Sequence, residues 1–250
     1  MANWSDPRSA APFASAGTRA ADYDAGLRSY MLSVYNYMLS GVLLTGVVAL
    51  LFAKSSLMQM LYQVGAEGRI GLTAIGWIVM LAPLAIVFAM SYGANRFSAA
   101  TLQMLFWAYA GLLGASLSTI FLTYTDSSIA QVFFGTAAGF AALSLWGYTT
   151  KRDLSGFGTF LVMGLVGLIV ASIVNLFIQS GPMSLVISVI GVLIFAGFTA
   201  YDTQKIKSMY AYTTAGESRD KVVIMGALNL YLDFINMFLF LLRLFGSSRN

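Results

Sequence analysis

Of the ten acidic residues in this 250-residue chain, eight fall in polar tails, connecting segments or the edges of apolar runs. Asp202 and Asp233 do not: each stands inside a stretch long and apolar enough to cross a bilayer. An ionisable side chain at that depth costs at least about 2.5–3.5 kcal/mol on insertion scales, so by default it marks a function. On consecutive antiparallel helices the two can meet. Carboxyls brought close together in a low dielectric cannot both ionise cheaply, so the pair shares a proton and titrates as a unit. With no histidine in the chain, this pair is the best-placed intrinsic switch near neutral pH.

Helical periodicity gives each acid a polar stripe. Ser184, Ser188, Gly191, Phe195, Thr199 and Asp202 share one face of the sixth apolar segment, and Gly226, Asn229, Asp233, Asn236 and Arg243 share one face of the seventh. Both acids therefore point along small or polar faces toward other helices. When ionised, they join the amide oxygens of Asn229 and Asn236 and the hydroxyl of Thr199 as hard oxygen ligands. Ca²⁺ takes about 6–8 such ligands with water filling gaps, whereas soft metals want thiolate or imidazole, and the chain has neither Cys nor His. Asp202 and Asp233 are thus the expected Ca²⁺ contacts, and a calcium pathway follows as an expectation. Two other partners remain open. Lys205, one turn on, could hold Asp202 in an interfacial ion pair. Arg96 could latch the acids or serve only as an interfacial anchor. Arg243 is about 15 Å along the helix from Asp233, so a partner for Asp233 must come from another segment.

These residues must be carried by a membrane-embedded scaffold. Apolar residues make up 58% of the chain and charged ones 10%, with a mean hydropathy of +0.78, whereas a soluble domain is about a quarter charged. Seven stretches reach the roughly 20 residues that a crossing needs: 30–53, 70–92, 103–124, 128–148, 156–177, 184–204 and 222–244. Unbroken runs such as LVMGLVGLIVASIV describe helices and not the alternating strands of a barrel. The expected fold is all-α, a polytopic seven-transmembrane-helix bundle over 30–246, with a flexible N-terminal tail over 1–29 and a short C-terminal tail over 247–250. Most connections are short, which makes consecutive helices antiparallel neighbours. The charged segment 205–221 is the one long enough to contact a membrane-protein partner. Besides that partner and Ca²⁺, the lipid bilayer is the expected surrounding, and neither nucleic acid nor a cofactor is expected. Thiolate and imidazole chemistry is excluded by composition, which argues against an enzyme of those classes.

Lipid offers helices no hydrophobic reason to associate, so small residues must let backbones approach. Gly135 and Gly139 form a GxxxG pair in the fourth segment, Gly111 and Gly114 sit in the third, and Gly164, Gly167, Ala171 and Asn175 share a face of the fifth. All read as packing seams first, with Asn175 as interhelical glue or a cavity lining. Pro83 interrupts the second segment, as a fixed kink or a hinge. Lys and Arg near the segment ends number nine on the amino-terminal side against four on the other. The positive-inside rule then places the N terminus in the cytoplasm.

The runs FFGTAAGFAALSLWGYTTKRDLSGFGTFL, SLVISVIGVLIFAGFTAYDTQKIK and ALNLYLDFINMFLFLLRLFG resemble the bacterial branch of the Bax inhibitor-1 family, from about residue 28 to the end. The resemblance implies a seven-helix protein of the bacterial inner membrane that lets Ca²⁺ leak down its gradient in a pH-dependent way. Its paired aspartates fall on Asp202 in AYDTQ and Asp233 in LYLDF, with Arg96 as the nearby arginine. It also admits a non-transporting regulator of a membrane protease. An intramembrane aspartyl protease is a third class, but Asp233 lies in LYLD where such proteases need GxGD, whose glycines admit substrate backbone.

Overall fold

A computed structural model of the chain describes residues 16–64, 70–213 and 215–249. Seven long helices dominate: α1 (Ala16–Ala53), α2 (Ala74–Gly93), α3 (Ala99–Leu117), α4 (Asp126–Thr149), α5 (Ser155–Ile178), α6 (Gly181–Met209) and α7 (Glu217–Phe245). Each carries an apolar span long enough to cross a bilayer. The chain is an all-α polytopic membrane protein. Its sheet, among the described residues, is one antiparallel hairpin of β1 (Tyr62–Val64) and β2 (Ile70–Leu72).

That hairpin corrects the start of the second span, expected at residue 70. The helix begins four residues later, where the Thr73 hydroxyl accepts the Gly76 N–H at 3.0 Å and donates to the Met60 carbonyl at 2.6 Å. One side chain thus caps α2 and ties it to the preceding turn. Gly76 is required there, because a Cβ would meet the Leu61 carbonyl oxygen at 2.1 Å.

Ordered contacts extend beyond the apolar spans at both ends of the described chain. The segment 1–29 is helical from Ala16, and residues 1–15 lie outside the described residues. Buried Leu27 continues the inward stripe of Tyr30, Met31, Val34 and Met38, so one amphipathic face runs past the end of the apolar span. At the other end, the Ser247 carbonyl accepts from the Thr125 N–H at 3.1 Å, and the Arg249 guanidinium meets Asp126 at 2.9 Å. Ser247 and Arg249 are thus laced to the start of α4. The charged segment 205–221 shrinks to a short turn, since α6 runs to Met209, a 3₁₀ turn follows over Tyr210–Tyr212, and α7 begins at Glu217.

The last helix is the axis of the bundle. In its apolar span 67% of residues are buried inside the protein, against 11% for α5, and it packs on α1, α3, α4 and α6. Tyr231 fixes one side: its hydroxyl shares a 2.6 Å hydrogen bond with Thr45 of α1, and its ring stands edge-on to Phe106 and Tyr109 of α3. Phe234 fixes the other, edge-on to Phe133 and Phe140 of α4. Edge-to-face pairs of this kind add about 0.5–1.5 kcal/mol each beyond burial.

Close backbone approach occurs elsewhere than the GxxxG spacing suggests. A Cβ on Gly135, Gly139, Gly111 or Gly167 would meet nothing within 4 Å, so these glycines face open space and not a seam. The tight crossings are at Gly114, where a Cβ would lie 2.6 Å from the Thr45 carbonyl oxygen of α1, and at Gly147, where a Cβ would overlap the Ala200 carbonyl oxygen of α6. Hydropathy is alike on lipid-facing and packed faces, so spacing alone could not separate them.

Candidate functional site

The α6–α7 pair makes the most extensive interhelical contact of the bundle, and its register can be read from three contacts. Gly226 of α7 lies against Ile206 of α6, Gly191 of α6 lies against Phe240 of α7, and the Phe195 and Phe240 rings stack at 6.0 Å. From that stack, Asp202 and Asp233 are each seven residues along their helices in the same direction, about 10 Å. From the Gly226–Ile206 contact the two acids are seven and four residues away, a difference of about 4.5 Å. The carboxylates therefore sit at one level of the antiparallel pair, within about one turn of each other.

Both are buried, Asp202 to 9% exposure and Asp233 to 4%. The ion pair with Lys205 left open by the sequence is not formed. Lys205 is exposed, with its ammonium 5.8 Å over the Tyr201 ring. Among the described residues no hydrogen bond reaches either carboxylate, and Asp233 Oδ2 is buried without a partner. An unpartnered buried carboxylate oxygen costs more than the roughly 1–3 kcal/mol of a neutral orphan.

Polar and apolar layers alternate along the pair. On the amino-terminal side a cavity of about 590 Å³ opens between the end of α2, the end of α6 and the start of α7, lined by Asn95, Lys205, Glu217, Lys221 and Asn229 among others. Ile206, 1% exposed, is among its lining residues, and its carbonyl accepts the Tyr30 hydroxyl at 3.2 Å. One turn below Ile206 and Asn229 lie Asp202 and Asp233. Next come Thr199 and Asn236, then the Phe195–Phe240 stack. Beyond it, Arg243 lies 5.6 Å over the Phe240 ring and lines a second cavity of about 410 Å³ with Asn175, Gln179 and Ser184. Along the helix pair the acids thus lie between the two cavities, with Ile206 toward one and the aromatic stack toward the other.

The supporting residues divide. Thr199 and Asn236 stand one turn below the acids, but each donates to its own helix: Thr199 Oγ1 to the Phe195 carbonyl at 2.8 Å and Asn236 Nδ2 to the Leu232 carbonyl at 2.8 Å. Their oxygens keep lone pairs for a ligand. Asn229 lines the vestibule one turn above Asp233. Asn175 is not interhelical glue: it lines the second cavity and serves its own helix end. Its Oδ1 accepts the Ser180 N–H at 3.1 Å and closes the end of α5, where Gln179 takes a left-handed φ of 54°. Arg96 is exposed just past α2, and no hydrogen bond or ion pair among the described residues carries it to either aspartate; Asn95 is the neighbour that lines the vestibule. Pro83 is buried inside a helix that continues on both sides of it. Ile206 and Phe240 carried no polar signal, and only their spacing from the acids could have drawn attention to them.

The family model for the inhibitor of apoptosis-promoting Bax1 matches residues 27–250. The chain belongs to the Bax inhibitor-1 family. Among its relatives, protein RP147 of Rickettsia prowazekii is 48% identical over 229 residues, covering 91% of this chain and 93% of that one. The inner membrane protein YbhL of Escherichia coli K12 is 46% identical over 227 residues, covering 90% and 94%. A Caulobacter vibrioides relative is 45% identical over 231 residues, covering 90% and 91%. Family membership thus extends from the amino-terminal part of α1 through both aspartate-bearing helices.

Proposed function

We propose that this Bax inhibitor-1 family member is a pH-sensitive calcium leak channel of the bacterial inner membrane, with its N terminus in the cytoplasm and with Asp202 and Asp233 as both proton sensor and ion contact. One observation carries the reading. Two carboxylates share one level of a helix pair, buried between two cavities that approach from opposite ends. Among the described residues no group of three or more acidic or other metal-ligating side chains clusters together. Two carboxylates with the oxygens of Asn229, Asn236 and Thr199 fall short of a saturated Ca²⁺ shell, so water must complete it. Such a site suits an ion in passage, which must bind well enough to enter and weakly enough to leave.

Protons and Ca²⁺ compete for the pair. A proton shared by the carboxyls removes one of the two charges that draw the cation in, so pH acts on both charge and occupancy. Ile206 and the Phe195–Phe240 stack are the apolar constrictions that must yield for passage. Direct support would come from the purified protein admitting Ca²⁺ into liposomes holding a Ca²⁺ indicator, with no other protein added. Flux no greater than in protein-free vesicles would overturn the reading and favour a non-transporting regulator.

A further inference from the structure

A third cavity, of about 610 Å³, lies between α1 and α4, and neither Asp202 nor Asp233 lines it. Within it the two helices are bridged by the hydrogen bond between Tyr35 and Ser144. The back wall is aromatic, formed by Phe140 of α4 and Phe234 of α7, edge-on at 5.6 Å. Leu32, Leu39 and Leu145, all more than half exposed, form the rim facing the surrounding hydrocarbon. The slot runs from Arg28 to Leu39, about 16 Å along α1, close to the roughly 15 Å of one leaflet's hydrocarbon. Its length and lining fit one lipid acyl chain.

The mouth specifies the headgroup. Asp24 and Arg28 both line it, both are exposed, and no ion pair joins them. Arg28 is nearer the membrane centre and Asp24 one turn, about 6 Å, farther out. A phosphate followed outward by a primary ammonium presents the complementary charges in that order. Trp146 and Tyr148 at the same end of α4 are the aromatic residues that sit at headgroup level in membrane proteins. Lys207 is already engaged, donating to the Tyr148 carbonyl at 2.7 Å with its ammonium 4.6 Å over the Tyr148 ring. Its ammonium is held against α4 and does not line the cleft, so Arg28 is the cation there.

We propose that the α1–α4 cleft binds one phosphatidylethanolamine molecule from the leaflet on the amino-terminal side, its acyl chain against Phe140 and Phe234, its phosphate on Arg28 and its ammonium on Asp24. The site is separate from the paired carboxylates and stands whether or not the protein conducts Ca²⁺.

Delipidated full-length protein in detergent, titrated with dioleoyl phosphatidylethanolamine, phosphatidylcholine or phosphatidylglycerol and read by native mass spectrometry, tests it. One copy of the ethanolamine lipid is expected to be retained about two- to fivefold more strongly than either of the others, in line with exposed ion pairs. Asp24→Asn is expected to erase the preference over phosphatidylglycerol, and Arg28→Gln to weaken retention of both. Ala141→Trp, which fills the slot from its exposed wall, is expected to abolish retention of all three. Equal retention of the three lipids by the wild type would overturn the proposal, as would an ethanolamine preference untouched by Asp24→Asn. Both charge substitutions are on exposed side chains, so the proposal remains testable even if Ala141→Trp disturbs folding.

Discussion

Replacing Phe240 with leucine isolates the part played by the aromatic constriction. The Phe240 ring stacks on Phe195 at 6.0 Å with 25° between planes and covers Gly191, where a Cβ would lie 2.6 Å from it. Leucine keeps apolar bulk at the position but removes the ring pair, worth about 0.5–1.5 kcal/mol beyond its buried area. If an ion can pass only when the stack parts, that energy stabilises the closed state alone. Removing it shifts the closed-to-open balance by about 2- to 13-fold. Ca²⁺ entry into liposomes reconstituted with Phe240→Leu should rise by that factor at every pH, while the shape of the pH dependence stays that of the wild type, since Asp202 and Asp233 are unchanged. A melting curve in detergent checks that the fold survives. Flux equal to or below the wild-type value in a well-folded variant would refute the placement of the constriction.

Other substitutions test the packing. Gly147→Ala places a Cβ 2.3 Å from the Ala200 carbonyl oxygen, which forces α4 and α6 apart at a cost of about 1–3 kcal/mol, seen as a lower melting temperature. Gly139→Ala meets nothing within 4 Å and gains up to about 1 kcal/mol of helix propensity; a melting temperature that fell as far as that of Gly147→Ala would contradict the assigned faces. Tyr231→Phe deletes the hydrogen bond to Thr45 and should cost about 0.5–1.5 kcal/mol in the same assay. Asp233→Asn keeps a polar group in the same buried space but removes negative charge there and should raise stability at neutral pH, so a marked loss in the melting assay would reveal a cation or donor holding that group.

The inward faces of α6 and α7 could be read directly from residue spacing. Ser188, Thr199, Asp202 and Asp233 are buried on the stripes that helical periodicity drew. Seven crossings were equally legible, because a 20-residue apolar run has few alternatives. What spacing could not show was which apolar faces meet protein and which meet lipid. That is why Gly135 and Gly139 suggested a seam while Gly147, with no small-residue partner at GxxxG spacing in its own helix, makes the tighter crossing. The central position of α7 depended on tertiary packing, as did the merging of the charged segment 205–221 into two helix ends. Asn175 shows a further limit: a polar side chain near a helix end serves local backbone groups as readily as a neighbouring helix.

The central claim is tested most directly by Ca²⁺ flux into proteoliposomes across a pH series, comparing wild type with Asp202→Asn and Asp233→Asn. The account predicts a flux that changes with pH in the wild type and a profile shifted away from it in both variants, because the one remaining carboxyl titrates without a like charge beside it. A pH profile of wild-type shape in Asp233→Asn would contradict it.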